Sequence, residues 1–231
     1  MSWIKREKRT PKPIWNAIRQ VNKGFFKYNV KLNLDKLRNT LRTTLIDIWE
    51  YVIPIWKISG LFKSIKSKKD LENFIQERSA HVSQTTLYGY LKTRIGVKYI
   101  AMMEDEVFLK SINIAKWNIY VVALADCAFY VFSYLISEKN LKENDCKEIF
   151  LNILENEKKN GLSEEIFDRG KKNFLERLDK VNFSNYHLND PFKESGQALY
   201  YWSPIADELK SLDKKIVLNS IHLKWGLMKD E

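Results

Sequence analysis

Glycine and proline are scarce in this sequence, eight and five among 231 residues, too few turn formers for a strand-rich fold with many tight connections. Cys127 and Cys146 are the only cysteines, which excludes a disulfide framework and leaves a reducing compartment as the expectation. His81, His187 and His222 stand far apart and repeat no ligand spacing. No stretch alternates apolar and polar residues long enough for a strand, and no segment repeats another. The leading residues, Met1 to Arg9, lack the apolar core and small-residue cleavage site of a secretory signal. Hydrolase elbow, phosphate loop, dinucleotide fingerprint and zinc motif are all missing, so neither a cofactor nor a metal is expected.

What the chain does have is apolar content, at 45 %, and an uneven distribution of charge. Residues 1–70 hold 17 Lys and Arg against 5 Asp and Glu, a net +12, whereas the remainder holds 22 against 24, a net −2. The whole excess of +10 therefore belongs to the N-terminal third. Such asymmetry points to an anionic partner: a membrane surface, an acidic protein or, with less support, a nucleic acid.

The front third reads as a basic amphipathic helical arm, residues 1–69, ahead of a body spanning 70–231. At about 100° per residue, Ile14, Ile18, Val21 and Phe25 share one helix face, with Trp15 and Phe26 at its edge. Arg19, Lys23 and Lys27 climb a neighbouring side. Aromatic residues beside a row of bases fit a helix lying in a membrane interface, and a helix docked on its own core shows much the same pattern. A second helical stretch, Leu34 to Lys57, carries Ile46, Trp49, Ile53 and Trp56 on one face. Asp47, Glu50, Lys57 and Pro54 exclude it as a membrane span.

In the body, helices are expected at about 70–94, 105–138, 142–158, 163–182 and 204–228. Gly96 stops the first, Ser163 caps the fourth, and Ser203-Pro204 opens the last as N-cap and first helical residue. Ile205, Leu209, Leu212, Ile216, Leu223 and Leu227 form a stripe expected to face the core. Trp117 to Ser137 is uncharged except for Asp126 and is long enough to span a bilayer. A carboxylate at its centre, at a cost of about 3 kcal/mol on insertion scales, favours a buried core helix instead. The fold class is accordingly all-α: a bundle around a long central helix, with a basic amphipathic N-terminal extension.

The first body helix has a weak apolar stripe and a polar one in its place. Glu77, His81, Gln84 and Tyr88 follow helical spacing, with Arg78 adjoining, and Asp126 could meet them if the long helix packs alongside. A buried Asp needs a partner, and Arg78 or His81 are the natural candidates. The group is a polar network fixing helix register, or a binding or acid–base site with His81 titrating near neutrality. Paired Glu-x-x-His di-iron motifs do not occur, since Glu77 and His81 are four apart and unrepeated.

Several stretches are distinctive in order and wording: Glu77-Arg78-Ser79-Ala80, Thr86 to Arg94, Glu104-Asp105, Ser111 to Lys116, Ser203 to Lys210 and Asn219-Ser220. Over residues 70–228 the chain resembles a family of uncharacterised alphaproteobacterial helical proteins, some of which carry the label esterase. The resemblance implies a helical fold and a bacterial cytoplasmic setting, and it transfers no active site. Three functions follow as expectations. The first is a non-enzymatic helical protein peripheral to the inner face of a membrane, an adaptor or assembly factor. The second is an esterase-like hydrolase using the polar strip and Asp126, and the third is RNA binding through the arm.

Overall fold

A computed structural model of the chain describes residues 65–229, which fold as six helices of ten or more residues with no strand among them. The arm up to residue 64, with Trp15, Arg19, Lys23, Phe25, Phe26 and Lys27, lies outside the described residues. Helix α1 spans Lys68–Ile95 and leads through a 3-10 turn and one helical turn, Tyr99–Met102, to α2, Glu106–Ser137. Then come α3, Glu143–Lys159, and α4, Glu164–Leu178. After a 3-10 turn at Tyr186–Leu188, α5, Lys193–Trp202, and α6, Asp207–Lys229, complete the bundle.

The boundaries have local causes. At the start of α1 the Ser67 hydroxyl accepts the Asp70 N–H at 3.1 Å, and at the start of α2 the Asp105 carboxylate accepts the Phe108 N–H at 2.8 Å. Each bond satisfies an amide that the helix itself leaves without a partner. Gly96 ends α1 with φ +63°, a conformation glycine enters without steric penalty.

Helix α2 is the axis, packed against α1, α3, α4, α5 and the Tyr186–Leu188 turn. Ile119, Ala123, Leu124, Cys127, Ala128, Phe129 and Phe132 are fully enclosed, and they point to every side of the helix. A helix apolar all round must find cover all round, and here five neighbours supply it. By length and composition α2 could also cross a membrane, yet most of its apolar window is buried among these neighbours. Gly170 brings α4 close to α2: a Cβ at that position would collide with a methyl of Val121. Across the gap Phe174 stacks on Phe150 of α3 at 3.7 Å and on Phe129 of α2 at 4.8 Å.

Two expectations need correction. Helix α5 was not foreseen: its buried residues are Ser195, Gly196, Ala198 and Leu199, a face too small and polar to register as a hydrophobic stripe. Those small residues let α6 approach, since a Cβ on Gly196 would lie 3.2 Å from Leu218. Ser203 closes α5 by donating its hydroxyl to the Leu199 carbonyl at 2.6 Å, and the last helix begins only at Asp207.

The second correction concerns which face of α6 is inward. Leu209, Leu212, Ile216, Leu223 and Leu227 are 41–75 % exposed, and Ile205, ahead of the helix, is half-buried. The buried face is Val217, Ile221, Trp225 and Met228, nearly opposite at 100° per residue. Trp225 decides the orientation. It is fully buried, stacks on Phe192 at 4.3 Å and donates its Nε1–H to the Ser195 hydroxyl at 3.0 Å. One enclosed tryptophan with its donor satisfied outweighs a longer row of leucines.

Candidate functional site

The polar strip on α1 and Asp126 on α2 do not form one site. Asp126 is fully buried, and both of its carboxylate oxygens are taken by groups far along the chain. Arg177, in the last turn of α4, donates to one oxygen at 2.7 Å, and the backbone N–H of Ser195 at the start of α5 donates to the other at 2.7 Å. The expected partners Arg78 and His81 are thus replaced by Arg177 and Ser195, because α4 and the start of α5 close over that side of α2. From Arg177 a second bond runs to the Tyr186 hydroxyl at 2.9 Å, which itself donates to the Pro191 carbonyl at 3.1 Å. The Ser195 hydroxyl donates to the Phe192 carbonyl at 2.9 Å while accepting from Trp225. Five segments therefore meet at one carboxylate: α2, α4, the Tyr186 turn, α5 and α6.

Electrostatics follow from this enclosure. Burial pushes the Asp126 carboxyl up to about 6, against the pull of the Arg177 guanidinium and of Ser195. Burial also works against the charge of Arg177, but Asp126 and Tyr186 more than offset it and hold that pKa above its ordinary value. The two shifts weigh the same pair differently, and exposure explains why: Asp126 is wholly enclosed, whereas 20 % of the Arg177 side chain reaches solvent. At neutral pH the pair is ionised and mutually compensated. Arg177 Nη1 is buried with no hydrogen-bond partner among the described residues, and the guanidinium lies over the Phe129 ring, 4.8 Å from its centroid.

This arrangement holds structure rather than reacting groups. The Asp126 oxygens are both engaged, and the Ser195 hydroxyl is tied to a carbonyl and an indole, with no imidazole bonded to it among the described residues. The remaining α1 residues are differently placed. Glu77 is exposed, while Arg78, His81, Gln84 and Tyr88 are half-buried. The Arg78 guanidinium lies over the Phe74 ring at 5.4 Å. His81 faces Arg78 and, on α6, Lys224; burial, then these two cations, lower its pKa below the usual 6.5, so the ring is neutral at pH 7. Cys127 and Cys146 are free and buried, and burial pushes both thiols up to about 12, far from the thiolate form that reacts.

A second buried cluster joins α1, α2 and α3. Glu157 accepts the Tyr120 hydroxyl at 2.6 Å, the Gln76 amide at 2.9 Å and the Asn160 amide at 3.1 Å. Burial, and then the Glu157 carboxylate, hold the Tyr120 phenol well above its ordinary pKa. His187 pairs with Ser133: its backbone N–H donates to the hydroxyl at 3.1 Å, and its Nδ1 lies 2.8 Å from the same oxygen. His222 sits 3.6 Å from Asp190. Among the described residues no three His, Cys, Asp or Glu side chains gather in a form that could hold a metal ion.

Sequence reasoning missed Arg177 and Glu157, yet a signal for each was present. Phe167, Gly170 and Phe174 are buried on α4, and Arg177 continues their 3–4 spacing. Glu157 continues the buried series Cys146, Ile149, Phe150, Ile153 and Leu154 on α3. A charge in phase with an apolar stripe points into the core and requires a partner there. No protein-family model, no curated protein and no solved structure matches the chain.

Proposed function

We propose that this chain is a non-enzymatic helical protein held peripherally at the inner face of a membrane, serving as an adaptor or assembly factor. The observation that carries this reading is the segregation of charge: +12 within residues 1–70 against −2 in all that follows. Near an anionic leaflet each Lys or Arg contributes about 1 kcal/mol, so even part of the arm's excess suffices for stable binding. Ile14, Trp15, Ile18, Phe25 and Phe26 add apolar side chains that can enter the interface. The hydrolase alternative loses its main support because Asp126 bonds to Arg177 and Ser195 rather than to His81.

Cosedimentation with phosphatidylglycerol-containing vesicles tests the reading. The full-length chain is expected to pellet with the vesicles at low salt and to leave them as ionic strength rises. A variant lacking residues 1–69 should keep its helical circular dichroism and stay in the supernatant. Equal vesicle binding by the deletion variant would eliminate the mechanism.

A further inference from the structure

We draw no further inference here: the strongest candidate, the exposed apolar row Leu209, Leu212, Ile216, Leu223 and Leu227 along the outer face of α6, carries nothing because nothing in the structure shows what covers it.

Discussion

On α2 a carboxylate is fully enclosed, while on α6 four leucines and an isoleucine stand in solvent, though both helices belong to one bundle. Residue type alone predicts the reverse of each placement. Asp126 is tolerated because two donors at 2.7 Å replace the water it loses. The α6 row remains outside because the opposite face holds Trp225, whose stacking on Phe192 and bond to Ser195 fix the helix rotation. The two regions are connected, since Ser195 serves both: its N–H goes to Asp126, and its hydroxyl accepts from Trp225. What lies inside is therefore decided by how completely each group is satisfied there.

The strongest way to break this comparison is to remove the buried carboxylate. Asp126→Ala leaves Arg177 without its counter-charge and the Ser195 N–H without an acceptor, and should cost about 3–5 kcal/mol in urea unfolding. Trp225→Ala attacks the inward face of α6 and should cost a similar 3–5 kcal/mol, reported by the same unfolding curves.

A subtler test uses pH. The Asp126 carboxyl is raised in the folded state from 3.8 to about 6, so the folded protein holds that proton more tightly than the unfolded chain. Its contribution is fully present below the ordinary carboxylate pKa and is lost as pH rises through about 6. Measured against Asp126→Asn, which has no proton to lose there, wild-type stability should fall by up to about 3 kcal/mol as pH rises from below 3.8, the unfolded value, to above about 6, the folded one. A flat difference would show that Arg177 fully compensates the carboxylate at every pH.

The smallest effect belongs to the outer row. Leu212→Ser and Leu223→Ser should each change unfolding free energy by no more than about 0.5 kcal/mol, since both side chains are exposed. A loss as large as that of Trp225→Ala would mean the row is covered within the chain.

Much of the architecture was legible because the signals were strong and local. Gly96 and Asp105 mark helix ends through backbone and capping preferences that act within a few residues, while Ser163 stands at the N-cap position of α4 without a capping bond from its hydroxyl. The uninterrupted apolar run before Ser137 could only be a central helix or a span, and its one carboxylate favoured the former. The missed features depend on distant partners. Helix α5 exists because Ser195 and Gly196 let α6 come close, a reason that lies some twenty residues away. The inward face of α6 was misjudged because five leucine and isoleucine side chains look more core-like than Trp225 until Phe192 and Ser195 are in place. Asp126 was correctly read as needing a cation, but choosing among Arg78, His81 and Arg177 required knowing which helices flank α2.

Function rests on a different contrast, the +12 front third against the −2 remainder, and fractionation of native cells tests it most directly. Membranes are collected at low salt, then washed with high salt and with alkaline carbonate. The account predicts that the protein pellets with the membranes at low salt and is released by either wash. Recovery in the soluble fraction at low salt, or retention through the carbonate wash, would contradict it.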